Sequence, residues 1–245
     1  MSKNIEKLAW NSSGSFWTTE LFAKLGFKKI VFDCEHSAVT LSNLENNIRL
    51  SSALDMKPVL RIKDSLDPDI PRYLDMGVNE LIVPRVEELD QILKIEKRIL
   101  YPPEGNRGVG LYRAQMHGID FENYISSFNE NIKILAQVET QKGSDFIEQI
   151  INHPLINGIF IGPYDLSASL GFPGDFESEK FKLYFNKILS AAKQMPDDFS
   201  LGYHLVHFES EEFKKLIEYG FNYIAVSTDI QLFLENLKNL KKNLE

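Results

Sequence analysis

Short apolar runs alternate with stretches of helical periodicity eight times along this chain, and no other feature narrows the fold so far. The apolar runs fall at 8–10, 29–33, 57–62, 80–84, 132–139, 157–161, 200–205 and 223–227, with the sixth broken at Gly162-Pro163. The helical stretches between and after them fall at 18–25, 41–48, 69–76, 89–96, 140–151, 181–193, 213–219 and 230–243. Gly26, Gly77 and Gly220 supply ordinary helix stops. The runs are almost continuously apolar, as expected for strands covered on both faces of a parallel sheet. Together these features predict a parallel (β/α)8 barrel, and its usual size accommodates residues 1–245 as a single domain. A doubly wound open sheet would carry fewer strands in this length, and no Gly-x-Gly-x-x-Gly follows the first run.

An apolar fraction of 43% with 25% charged residues describes a soluble globular chain with enough material for a core. The net charge of -8, with lysines scattered and not in a block, argues against a nucleic-acid partner. A single cysteine cannot pair within the chain, which suits a reducing compartment. The N-terminus lacks an apolar signal region, and no run approaches the ~18 apolar residues of a membrane span. Cytoplasmic location and no membrane partner are therefore expected.

Active sites of such barrels lie at the C-terminal ends of the strands. Those ends carry Asp33, Glu35, His36, Arg61, Arg85, Glu139, Asp165, His204 and Ser227. Glu139 and Asp165 each also read as acids at a helix N-terminus, a favourable placement in its own right. On adjacent strands they fit a hard divalent cation, Mg²⁺ or Mn²⁺, that completes its shell with water or substrate oxygens. A guanidinium such as Arg61 at the end of a buried strand needs an anion to meet it. His36, at a strand end, reads equally as a proton carrier or a structural hydrogen-bonder. His117, His153, His204 and His207 read as structural, and Cys34 as a small buried residue. The long irregular segment 101–118 is a candidate site loop.

The motifs Asp33-Cys-Glu-His36, Pro58-Val-Leu-Arg61, Leu74-Asp-Met-Gly77, Tyr101-Pro-Pro with Arg107-Gly-Val-Gly110, Gln137-Val-Glu139 and Gly162-Pro-Tyr-Asp-Leu-Ser occur in one order. In that order the chain, from about residue 8 to 235, resembles the HpcH/HpaI aldolases, the class II pyruvate aldolases. The resemblance implies a metal-dependent aldolase that reversibly cleaves a 4-hydroxy-2-oxo acid, often derived from a sugar acid, into pyruvate and an aldehyde. It implies Glu139 and Asp165 as metal ligands, Arg61 as stabiliser of the enolate oxygen, and His36 as the acid/base with Asp75 as its supporting carboxylate. Gln137, Gly162, Tyr164 and Asp165 are the implied substrate contacts. It further implies a homo-oligomer, a hexamer or trimer of dimers, in which the helix at 230–243 packs on a neighbouring subunit. The alternatives are a lyase acting on a CoA thioester, disfavoured by the net acidity, and a non-catalytic ligand-binding barrel.

The chain departs from the family pattern at Cys34, often Gly, at Arg85, commonly Met, at Tyr164, Ala in many members, and across Tyr203 to His207. At Arg85 the extra cation either favours an acidic aldehyde or pairs with Glu87 or Glu88.

Overall fold

The computed structural model describes residues 5–244. The first half contains β1 (Glu6–Asn11), α1 (Phe16–Lys24), β2 (Lys29–Asp33), α2 (Leu41–Ala53), β3 (Lys57–Arg61), α3 (Ile70–Asp75), β4 (Glu80–Val83) and α4 (Leu89–Ile99). A 3-10 segment (Arg113–Gly118) and α5 (Phe121–Asn131) lead into β5 (Lys133–Val138), α6 (Gln141–Asp145), α7 (Ile147–Ile151), β6 (Ile156–Ile161) and α8 (Pro163–Ser169). The chain ends with α9 (Glu179–Ala192), β7 (Ser200–Leu205), α10 (Ser210–Tyr219), β8 (Tyr223–Val226) and α11 (Asp229–Leu244). The strands pair in sequence order and β8 closes on β1, giving the eight-stranded parallel barrel that the alternation predicts.

Alternate side chains of each strand serve two cores, which is why the strands are apolar throughout. Trp10, Val31 and Val59 are register partners across β1, β2 and β3, and with Leu8, Leu135 and Phe160 they fill the barrel interior. Ile30, Phe32 and Leu60 point outward, into a second core with Phe22 of α1 and Leu44 and Ile48 of α2.

The differences from the sequence reading lie in the helices. Helix α5 was not anticipated, although Phe121, Tyr124, Ile125 and Phe128 carry the i, i+3, i+4, i+7 spacing of a helical face. The stretch after β5 is two short helices that meet at Phe146, not one continuous helix. Strand two stops at Asp33, because the Asp33 carboxylate accepts the backbone N–H groups of Glu35 (3.0 Å) and His36 (3.3 Å) and turns the chain.

At the N-terminal end of the barrel the fold is held by a carboxylate that strand-end reasoning did not address. Glu80, fully buried at the start of β4, meets Lys29 at 2.9 Å, Lys57 at 3.1 Å and Lys133 at 3.3 Å. The hydroxyl of Tyr223 donates to it at 2.6 Å. Burial would raise its pKa, but the charges of Lys133, Lys29 and Lys57, aided by that hydroxyl, hold it at about 2. A carboxyl held below its ordinary 4.5 contributes stability that is present above pH 4.5 and lost as pH falls toward 2, on the order of 3 kcal/mol. Denaturant titrations of Glu80→Gln should therefore show lower stability at pH 7 and a shallower loss between pH 5 and 2.5. Parallel stability–pH curves for the two proteins would overturn this account of Glu80.

Candidate active site

The polar mouth of the barrel is assembled from the ends of β2, β3, β5 and β6. Asp33 and Arg61 are register partners, and the guanidinium closes a two-pronged pair on the carboxylate, Nε to Oδ1 at 2.9 Å and Nη2 to Oδ2 at 2.6 Å. Burial would raise the Asp33 pKa, but the hydrogen bond and charge of Arg61 hold it below the usual carboxylate range. The third nitrogen, Nη1, lies 3.0 Å from Glu35 Oε2 as an ion pair without hydrogen-bond alignment. Trp10 forms the floor, with the guanidinium carbon 4.9 Å above its ring and the His204 imidazole stacked 4.2 Å away. Burial holds His204 down at about pKa 4, so it is neutral, in line with a structural role.

Glu139 follows β5 and is buried. Its Oε1 accepts the backbone N–H of Arg85 at 2.8 Å, and its Oε2 accepts the side-chain amide of Gln137. Gly162, at the end of β6, lies against it: a Cβ there would come within 2.6 Å of Glu139 Oε2. Glycine leaves room for the carboxylate in this position, a role separate from the substrate contact expected of Gly162. Asp165 stands exposed in the first turn of α8, which starts from Pro163. Tyr164 is half-exposed, its ring edge-on to Phe176 at 5.1 Å.

The mouth is crowded with like charge. Burial, with Glu35 and Asp165 nearby, pushes Glu139 up to about 7 against the opposing Gln137 bond. Glu35 is also pushed up to about 7, by burial first and then by Asp33 and Asp165, with Arg61 opposing. Gln137 Oε1 and Glu35 Oε2 are buried oxygens without a hydrogen-bond partner. An all-oxygen, acid-rich cluster short of positive charge fits a hard divalent cation. Among the described residues, no three His, Cys, Asp or Glu side chains converge closely enough to hold a metal on their own.

His36 lies at the same mouth, largely exposed, its Nε2 3.8 Å from Glu35 Oε1. Asp75, expected as its supporting carboxylate, does not meet it within the chain. Asp75 sits at the end of α3 and accepts from Arg107 at 2.6 Å, beside a cleft lined by Leu41, Glu45, Gly110 and Tyr112. Sequence order carries no direction for the Asp75 side chain, whereas Glu35, the acid nearest His36, precedes it directly in the chain. Cys34 is buried with its thiol pushed up to about 12 by burial and by Asp33 and Asp67, so it is no nucleophile.

Comparison with known proteins adds what geometry alone does not. The family model for HpcH/HpaI aldolase/citrate lyase matches residues 8–236. The chain belongs to this family. It is 30% identical over 230 residues to the 2-keto-3-deoxy-L-rhamnonate aldolase of Shigella dysenteriae serotype 1 (strain Sd197), covering 93% of this chain and 84% of that protein. The Escherichia coli O157:H7 enzyme of the same name is 31% identical over 234 residues, with the same coverage. The solved structure of an HpcH/HpaI aldolase/citrate lyase family protein from Burkholderia cenocepacia J2315 superposes with a TM-score of 0.91 at 26% identity, covering 99% of this chain and 95% of the other. As a member of the HpcH/HpaI family, the chain is a carbon–carbon lyase built on a (β/α)8 barrel. Among the described residues, no helix is long and apolar enough to cross a membrane.

Proposed function

We propose that this protein is a divalent-metal-dependent aldolase. It reversibly cleaves a 4-hydroxy-2-oxo acid of sugar-acid type into pyruvate and an aldehyde. The observation that carries this reading is the buried Glu139 carboxylate, fixed by Arg85 and Gln137 beside Glu35 and Asp165, with the Arg61 guanidinium at the same mouth. The names of the similar aldolases support the substrate class.

In the cleavage direction the C3–C4 bond breaks, its electron pair stays on C3 in conjugation with the C2 keto group, and the C4 hydroxyl gives up its proton as the aldehyde forms. C3 then takes a proton to give pyruvate. Glu139 and Asp165 would hold Mg²⁺ or Mn²⁺, which when bound supplies Lewis-acid polarisation of the 2-oxo acid. Arg61 is preorganised by Asp33 and Glu35 to receive the negative charge that develops on the keto oxygen, with no reorganisation during the reaction. In this reading His36, exposed at the rim, carries protons between substrate and solvent, with Glu35 as the acid nearest its ring. Gln137 Oε1 offers a free acceptor, and in this reading the Gly162–Asp165 backbone would contact pyruvate.

A homo-oligomer, as a hexamer or trimer of dimers, and a cytoplasmic setting belong to the same reading. Support for the oligomer comes from the apolar faces that the single chain leaves bare: Phe233, Leu237 and Leu240 on α11, Trp17 and Leu21 on α1, and Ile119 before α5.

The test is exchange of the pyruvate methyl protons with D₂O, followed by NMR. Exchange is expected with Mg²⁺ or Mn²⁺ and should stop on addition of EDTA. Exchange that persists under chelation, with borohydride trapping pyruvate on the protein, would replace this reading with a Schiff-base mechanism.

A further inference from the structure

The turn between β4 and α4 contains a residue whose backbone and side chain make different demands. Arg85 has φ +50, in the left-handed region that glycine or asparagine occupies more readily. The turn is locked at both ends of that residue. Its N–H donates to Glu139 at 2.8 Å, and its carbonyl accepts from Gln91 Nε2 at 3.0 Å. Gln91 Oε1 in turn accepts from the backbone of Glu87 at 2.7 Å. The backbone bond to Glu139 needs no side chain at this position, so the local structure gives no reason for a large cationic one.

The guanidinium is largely unclaimed. Its nearest carboxylate, Glu87, is 3.9 Å away, too far for a hydrogen bond. Lys142 also reaches Glu87 at 3.9 Å and bonds Glu88 at 2.9 Å, so these two acids have another cation. Arg61, the other arginine of the mouth, is held by Asp33 and Glu35 and is assigned above to the keto oxygen. The backbone bond from Arg85 to the Glu139 carboxylate sets the residue at the same mouth. Arg85 thus carries an exposed guanidinium with open donors on a residue whose backbone bonds the Glu139 carboxylate.

We propose that Arg85 is a specificity-determining residue that binds the distal carboxylate of an acidic aldehyde, the partner that pyruvate gains or loses. This rests on the aldolase reading above. A guanidinium presents paired N–H donors that match a carboxylate, and a charged hydrogen bond at the rim discriminates against an isostere lacking the charge.

The experiment compares aldol addition of pyruvate to succinic semialdehyde and to butanal, which differ by a carboxylate against a methyl. It uses the metal-loaded protein, Arg85→Gln and Arg85→Lys. The ratio of kcat/KM for the two aldehydes is the readout, because effects on steps common to both cancel in it. The unsubstituted protein should favour the acid. Arg85→Gln should lower the ratio roughly tenfold or more, and Arg85→Lys should restore part of it. The preference should also shrink as salt rises from about 0.05 to 0.5 M. Absence of a preference in the unsubstituted protein, or its survival in Arg85→Gln, would overturn the proposal. If the unsubstituted protein also fails to exchange pyruvate methyl protons with metal, the aldolase reading fails with it; if exchange is present, only the role of Arg85 falls.

Discussion

Glu139→Gln should abolish metal-dependent exchange of the pyruvate methyl protons, by roughly 10³-fold or more, while leaving the barrel intact. The substitution keeps the size and the contact with Gly162, and it removes the charge that a cation needs. It also removes one of the like charges crowded with Glu35 and Asp165. Thermal unfolding of the metal-free variant should therefore occur at the same temperature as the unsubstituted protein or higher, and the stabilisation gained on adding Mn²⁺ should disappear. Loss of turnover with a lowered melting temperature would mean only that the fold had been damaged. Full exchange activity in Glu139→Gln would remove Glu139 from the site.

Arg61→Met should lose both stability and turnover, for separable reasons. Removing the guanidinium leaves Asp33 buried without its two-pronged partner and Glu35 without its counter-charge. Breaking a buried pair from one side costs roughly 3–5 kcal/mol, and a domain of this size loses about 2–4 °C of melting temperature per kcal/mol. Arg61→Lys separates the two effects. It keeps a cation near Asp33 and Glu35, so it should restore much of the melting temperature, but it lacks the fork. Exchange should stay depressed by roughly 10²-fold. If Arg61→Lys exchanges pyruvate protons as fast as the unsubstituted protein, the planar geometry is irrelevant, and the keto oxygen is stabilised elsewhere.

The barrel was legible because a strand buried on both faces must be apolar at every position, and that signal is local. The order of β1 to β8 followed from the alternation alone. Arg61 and Glu139 were legible because a charge at the end of such a run stands out. Glu80 was not, since attention to the C-terminal strand ends passes over the opposite end. Its signal was nonetheless present in Lys29, Lys57 and Lys133, each the first residue of its strand. Helix α5 hid behind the long irregular segment before it, although its apolar spacing was sound. The link between His36 and Asp75 failed to form within the chain for a different reason. Motif order places two residues near one end of a barrel, but it does not say which way a side chain on α3 points, and Asp75 turns to Arg107.

Trp10, described above as the floor of the mouth, gives the protein an optical sensor of its own chemistry. Its indole is fully buried, with the Arg61 guanidinium over one region of the ring and His204 stacked beside it. The second tryptophan, Trp17, is exposed in the first turn of α1. An anion drawn to Arg61 would change the electric field across Trp10. With Trp17→Phe the remaining tryptophan emission comes from beneath the Arg61 guanidinium, so under the proposed role of Arg61 pyruvate binding should change it, without a label.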